Sequence, residues 1–475
     1  MFGNIIFNVL NRILAIVTPC ITIPYLARTL GADGLGLYSY NLSWATYFTC
    51  FINFGVSLYG IRQVAYVRNK GKDAYSKVFW ELFFMRLGLA VLASVLYYFV
   101  FVQNSVNYFL NLILLFDIVS SFFEIEWLYG GLEQFRIVFV RNFFVRAFSV
   151  CAIFLFVKSH EDVLIYALIL TCNKVLGYLI MWVPLKNLIA IHSFGNINFL
   201  QHFVPALMLY IPQIAIEVYT VLDKTMLGYL LQNNFENGYY DQAHKVILIL
   251  LSVITAIAPV MMARVANLNS GNAKDNIVGH LEYSFRFVWM LALPMIVGIF
   301  FVADVFVPIF FGNGYDKVVD LLKIFSLLTV IIGISNTLGI QYLVSVGKEK
   351  YLTYSVLAGA ITNFCLNLYL IPHYASKGAV VASVFAEMVV TSVQMLCVYK
   401  ELPLLKYFKT MSKYLLATVV MGLVLYFMPL LGDSYFSKFL QQTCVGIIIY
   451  AVVLLLVKDK LAWMFVNKIK SVIAL

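Results

Sequence analysis

Charge is scarce in this sequence. Asp, Glu, Lys and Arg make up 12% of the 475 residues, about half of what a soluble globular protein carries. With 62% of the residues apolar, that scarcity excludes a water-soluble globular fold. Cysteine and histidine are also few. Cys20, Cys50, Cys151, Cys172, Cys365, Cys397 and Cys444 all fall in apolar runs and read as small buried hydrophobes. None is placed for a disulfide in an outer loop or spaced for a metal. The six histidines form no His-x-x-x-His pair. No metal, cofactor or catalytic constellation is expected. Long polar stretches are missing too: the outer connections, 103–107, 158–161, 372–377 and 432–437, are short, and the longest inner ones, 185–203 and 263–280, are still small. No extramembrane domain exists to carry enzyme chemistry, so the protein is expected to be no enzyme and to act within the bilayer.

What is present is a series of apolar runs of 18 residues or more, each long enough to cross about 30 Å of hydrocarbon as a helix. Fourteen are centred near Ala15, Thr49, Ala90, Asp117, Ser149, Asn173, Val218, Leu251, Met290, Thr329, Thr362, Met388, Gly422 and Gly446. The first, residues 4–26, is too long for a signal peptide's apolar core and reads as a retained span. The expected fold is an all-α polytopic membrane protein. The basic residues test the count. Segments assigned inside carry 22 of the 33 Lys and Arg, among them Arg136, Arg141 and Arg146, and those assigned outside carry five. That bias supports cytoplasmic termini. The net charge of +10 follows from topology and implies no nucleic-acid partner. The six Trp read mostly as interfacial belts. Lys458, Lys460, Lys468 and Lys470 beside apolar residues read as an amphipathic helix on the anionic lipids of the inner leaflet.

The chain also repeats. YLARTLGADGLGLYSYN, between spans one and two, and LGYLLQNNFENGYYDQA, between spans seven and eight, each hold a Leu-rich exit, a polar outer turn and Gly-x-Tyr, at an offset of 202 residues. LYGGLEQFRIVFVRN and LVSVGKEKYLTYSVL match at an offset of about 215. These imply two six-span lobes, residues 1–195 and 200–400, followed by two extra spans and the tail at 401–475. Both lobes start on the same side, a common transporter plan with a midplane site between repeats.

Charges at mid-span usually face a cavity or a partner. In span seven, Tyr210, Gln213, Glu217, Thr220 and Lys224 fall within about 80° of one another at 100° per residue. They form one polar stripe, with Asp223 flanking Lys224. Asn4, Asn8, Arg12 and Pro19 stripe span one. Lys174 is central in span six, and Asp117, Glu217 and Glu387 are the deepest acids. Arg12, Lys174 and Lys224 would suit an anionic head group, and the acids a coupling Na⁺ or H⁺. The alternative is an interhelical salt bridge, such as Arg12 with Asp117. Glu81, Arg86, Glu124 and Glu126 lie nearer the inner interface and read as snorkelling charges.

At YLARTLGADGLGLYSY and VLDKTMLGYLLQNNFENGYYDQAHKV the chain resembles the Wzx-type polysaccharide flippases of the multidrug/oligosaccharidyl-lipid/polysaccharide exporter superfamily. Phe54-Gly55 with Gly60-Ile61-Arg62, and NLYLIPHYASKGAVVASVFAE at 367–387, support the likeness over residues 1–400. The family often shows Pro-Arg after span eight, where this chain has Ala263-Arg264. The resemblance implies a MATE-like two-lobed exporter in a bacterial cytoplasmic membrane. Its substrate would be undecaprenyl-diphosphate-linked oligosaccharide repeat units for surface polysaccharide, moved by alternating access. A polysaccharide polymerase and other assembly proteins would be its neighbours. On that reading Arg12, Lys174 and Lys224 hold the diphosphate, and Asp223 or Glu217 positions Lys224 or binds a coupling cation. A cation-coupled multidrug antiporter of the same superfamily is the alternative.

Overall fold

Backbone amides and carbonyls in hydrocarbon must pair within their own segment, so apolar runs of this length fold as helices. In the computed structural model residues 2–103, 105–190, 198–270 and 274–464 are described, the side chains of 2–9, 12, 212, 213, 215, 216, 218, 219, 270, 274 and 275 excepted. Among the described residues every regular element is helical. Contacts divide the chain into two compact units, Met1–Gly238 and Tyr239–Leu475.

The first unit holds α1 (Phe2–Thr29), α2 (Gly31–Asn53), α3 (Val56–Val67), α4 (Lys72–Tyr97), α5 (Tyr108–Ser120), α6 (Glu126–Gly131), α7 (Phe135–Phe156), α8 (Val163–Trp182), α9 (Leu185–Leu188), α10 (Leu200–Leu231) and the first turn of α11 (Asn234–Ile254). The second holds the rest of α11, α12 (Ala258–Ser270), α13 (Lys274–Phe310), α14 (Asp316–Phe325), α15 (Leu327–Asn336), α16 (Glu349–Val398), α17 (Leu404–Lys409), α18 (Met411–Phe427) and α19 (Tyr435–Leu456). Each of the fourteen expected centres lies in one of these helices. Among the described residues ten helical stretches are long and apolar enough to cross a membrane, and Ile13–Thr29 with Gly31–Lys70 makes an eleventh, bent by 117°. The architecture is all-α and polytopic, as the apolar runs predict.

One joint differs from expectation and another matches it. The polar turn expected between spans one and two shrinks to Leu30, because Gly31 adopts φ 69° and lets α2 start at once. The 50-residue α16 is far longer than a membrane crossing. It folds back at Ala375 (φ 53°, ψ −134°), so that Gly378 lies against Leu370, Gly359 against Val390, and Gln394 hydrogen-bonds Ser355. The centres at Thr362 and Met388 are therefore two antiparallel legs of one hairpin.

Aromatic side chains dominate both cores. In the first unit Phe79 stacks on Trp127 at 5.7 Å beside Tyr59, Leu82 and Tyr129. In the second, Phe285 stacks on Tyr407 at 4.9 Å beside Trp289 and Tyr414. Trp127 and Trp289 are thus core residues and not interfacial belts. The cysteines also depart from the reading as buried hydrophobes: all seven are free, five are exposed and two half-buried. At the end of α19, Asp459 is fully buried and accepts from the Tyr414 hydroxyl and from the Leu461 and Ala462 amides. Lys458 and Lys460 flank this anchor, and the remainder of the expected amphipathic tail, with Lys468 and Lys470, lies outside the described residues.

Candidate functional site

The first unit contains a cavity of about 460 Å³. One wall is a face of α2 made by Thr46, Thr49, Cys50 and Asn53, spaced i, i+3, i+4 and i+7. The chain then breaks through Phe54 and Gly55, both left-handed, and Ser57 continues the wall from α3. Gly55 is needed there, since a Cβ would stand 2.7 Å from the Ala206 carbonyl of α10. Arg86 comes from α4, Ser121 and Glu124 from the break after α5, Tyr178 from α8, and Tyr210 and Glu217 from α10. The Thr46 and Thr49 hydroxyls donate to Leu42 and Thr46 carbonyls, and Ser57 donates to Asn53 Oδ1. Those hydroxyl oxygens keep lone pairs for a bound donor.

Arg86 is 2% exposed. Its guanidinium donates to the Ser121 carbonyl at 2.7 Å, to the Glu124 carbonyl, and to Glu124 Oε2 at 3.3 Å. Glu124 Oε1 accepts the Glu126 amide at 2.6 Å. The guanidinium therefore satisfies the carbonyls freed where α5 stops, and its charge is matched by Glu124. Glu217 adds a second carboxylate to the lining.

The expected site residues are scattered around this cavity. Tyr210 and Glu217 of the α10 stripe reach it. Thr220 is exposed and bonds the Glu217 carbonyl. Asp223 is buried and Lys224 half-buried. The Lys224 carbonyl accepts from Asn237 at 2.7 Å, and neither residue lines the cavity. Lys174 forms a 2.7 Å ion pair with buried Asp117, the salt-bridge alternative raised for the deep charges. Glu387 belongs to the second unit and is half-buried. The side chains of Asn8, Arg12 and Gln213 lie outside the described residues.

Arg86 and Glu124 were read as snorkelling charges, and the structure corrects that. So does Glu81, which is 1% exposed. A snorkelling side chain reaches water, whereas Arg86 and Glu81 are enclosed and half-buried Glu124 turns to the cavity and to Arg86. Arg141 and Arg146 are corrected as well. Both were assigned to an inner connection, yet they lie six and eleven residues into α7, about 9 and 16 Å along it. Arg141 pairs with Glu126 at 2.5 Å. Arg146 Nη1 is buried without a hydrogen-bond partner among the described residues. Four residues from Arg146, Asn142 bonds Asn11 of α1 at 3.1 Å, next to Arg12. The sequence held one usable signal for this site: the Thr46, Thr49, Asn53 spacing makes a second polar stripe.

The second unit has an apolar cavity of about 730 Å³ between α13, α18 and α19, lined by residues such as Met290, Met295, Phe306, Leu425, Phe439 and Tyr450. It has the chemistry for a hydrocarbon chain.

Known proteins place the chain in context. The family described as "Polysaccharide biosynthesis protein" matches residues 2–262. Two curated relatives carry the description "Putative O-antigen transporter". The one from Escherichia coli (strain K12) is 22% identical over 80% of this chain and 92% of its own length. The one from Shigella dysenteriae is 22% identical over 78% of this chain and 93% of its own. Among solved structures, the lipid II flippase MurJ in its inward closed conformation superposes with a TM-score of 0.76 at 16% identity, over 95% of this chain and 98% of that one. An inward-facing multidrug resistance MATE family transporter of the MOP superfamily gives 0.62 at 11% identity, over 83% and 96%. The fold is MATE-like.

Proposed function

Because the chain belongs to the polysaccharide biosynthesis protein family, we propose that it is a flippase for undecaprenyl-diphosphate-linked oligosaccharides. It would move repeat units from the inner to the outer leaflet of a bacterial cytoplasmic membrane, with both termini cytoplasmic, and would itself be no enzyme. The lobes 1–195 and 200–400 would be its repeats. A polysaccharide polymerase would take the product. The observation that carries the reading is the cavity of the first unit, enclosed by helices and walled by Thr46, Thr49, Asn53, Ser57, Tyr178 and two carboxylates. Sugar hydroxyls both donate and accept, and this wall offers partners for both.

A diphosphate cannot cross hydrocarbon unaided, because burying its charge costs many kcal/mol. Arg12 and Lys224 are our proposed holders, joined by Arg146, whose planar fork matches phosphate oxygens. Lys174 reaches the diphosphate only by exchanging Asp117. Gln213, Thr220, Asp223 and Asn8 would complete the path in the first unit, with Glu217 meeting sugar or a coupling Na⁺ or H⁺, and Glu387 is our proposed coupling acid of the second unit. The apolar cavity suits the prenyl chain.

One observation favours the cation-coupled drug antiporter: Glu124 and Glu217 face the cavity against a single guanidinium. Gene deletion separates the two. We expect an undecaprenyl-linked oligosaccharide to accumulate on the inner leaflet while surface polysaccharide disappears, read by thin-layer chromatography and mass spectrometry. Wild type should relieve this and Arg146→Ala should not, whereas Arg146→Lys should relieve it in part. Normal lipid pools and normal surface glycan would instead support the antiporter.

A further inference from the structure

A second cluster of titratable groups lies at the start of α10, outside the cavity. His202 is 6% exposed, and its Nε2 stands 2.8 Å from Glu81 Oε2 of α4, itself 1% exposed. On the other side of the ring, Nδ1 stands 2.8 Å from the Tyr59 hydroxyl of α3. Glu81 also accepts the Asn198 amide at 3.0 Å and the Gln201 side-chain amide at 2.9 Å. Two other charges face the group: Lys77, 4.0 Å from Glu81 on the same helix, and Arg62, over the Tyr59 ring at 5.7 Å.

Three helices are thus joined through one imidazole. Nε2 faces a carboxylate and carries a hydrogen in either charge state. Nδ1 accepts from Tyr59 when the ring is neutral and donates to the Tyr59 oxygen when it is charged. The site can therefore hold one more proton without moving a heavy atom. With that proton, a buried carboxylate meets a buried cation. Without it, Glu81 keeps its charge among neutral donors and a half-exposed lysine. Removing the counter-charge of a buried ion is costly, so the protonated cluster holds α10 more firmly.

We propose that Glu81, His202 and Tyr59 form a proton-binding site whose occupancy keeps α10 docked on α3 and α4. The proton enters and leaves at His202 Nδ1. The same helix carries Tyr210 and Glu217 into the cavity. Undocking its start releases the proton to water and reshapes that wall, so proton and substrate are linked through one element, and the linkage is reciprocal. The step from docking to transport rests on the flippase reading; the docking itself does not.

Hydrogen–deuterium exchange of the full-length protein in lipid nanodiscs tests this without any substrate. Rates at pH 6 to 8, where imidazoles change charge, are corrected for the intrinsic chemistry. Peptides spanning 199–211 should be about fivefold better protected at pH 6 than at pH 8, the gain expected when the hydrogen bond to a buried carboxylate becomes a full ion pair. Peptides of α19 should show no such trend. In His202→Gln, which keeps a neutral hydrogen-bonding side chain that cannot take up a proton, the trend should vanish. In Tyr59→Phe, which keeps the ion pair, it should persist. A flat wild-type profile, or a trend retained in His202→Gln, overturns the proposal. Should His202→Gln fail to fold, the wild-type and Tyr59→Phe profiles decide alone. Because no lipid-linked substrate is present, this result is separate from that of the gene deletion.

Discussion

Arg86 owes its place to three acceptors, the Ser121 and Glu124 carbonyls and the Glu124 carboxylate. The carbonyls of Ser121 and Glu124 are released where α5 ends, and in hydrocarbon an unpaired carbonyl is expensive. Replacing Arg86 by Ala removes a donor to both and leaves Glu124 without its counter-charge. Loss of one member of a buried pair typically costs about 3–5 kcal/mol. We expect Arg86→Ala to lower the melting temperature of the purified protein by several degrees or to prevent its accumulation. An unchanged melting curve would mean that the break after α5 holds without it. Its depth in the protein could not be read from the sequence. Arg86 stands among apolar residues much as a snorkelling residue would, and only its burial against the break after α5 separates the two cases. For Lys174 and Asp117 the same ambiguity was legible as an alternative, because a cation and an acid were both placed at mid-span.

Among the helices, the matched glycines of the repeat have a mechanical meaning. A Cβ on Gly36 would stand 1.8 Å from the Asn234 carbonyl, and one on Gly238 would stand 2.0 Å from the Ala32 carbonyl. The start of α2 and the start of α11 therefore cross with backbones in contact, a device typical of small residues in membrane helices. Gly36→Ala and Gly238→Ala should each force the crossing apart and lose the proposed flippase function in complementation of a deletion strain. Gly88→Ala and Gly298→Ala, where a Cβ meets nothing within 4 Å, should complement fully and stabilise by up to about 1 kcal/mol. Equal behaviour of the two pairs would show that the crossing tolerates separation. The Gly-x-Tyr repeat pointed to these positions, and each apolar run fell on a helix. The joints were unevenly legible: the bend at Leu30 depends on the φ of Gly31, whereas the α16 hairpin turns at Ala375, inside the connection expected at 372–377.

For the molecule as a whole, α17 and the last two long helices are part of a core. Trp289 donates to the Tyr407 carbonyl at 3.3 Å, and Tyr450 donates to the Met290 carbonyl at 2.9 Å. Together with the Phe285–Tyr407 stack they cover a face of α13. A chain ending at residue 403 should be degraded and absent from the membrane fraction by immunoblot. A stable, functional truncation would mean that α13 finds another cover. That two helices follow the repeat was legible from the run count, but what they cover was not, because α13 reads as an apolar span whichever neighbour it meets.

The place of α10 has a consequence for how the protein is made. By sequence it opens the second repeat, yet by contact it completes the first unit. A ribosome that has released only the first 195 residues has therefore delivered a fragment whose Gly55 notch and Glu81 carboxylate still await their partners. Only as the next 43 residues emerge, to Gly238, can that half close. Until then the insertion machinery shelters an unfinished surface, and a pause in translation is better tolerated after α10 than before it.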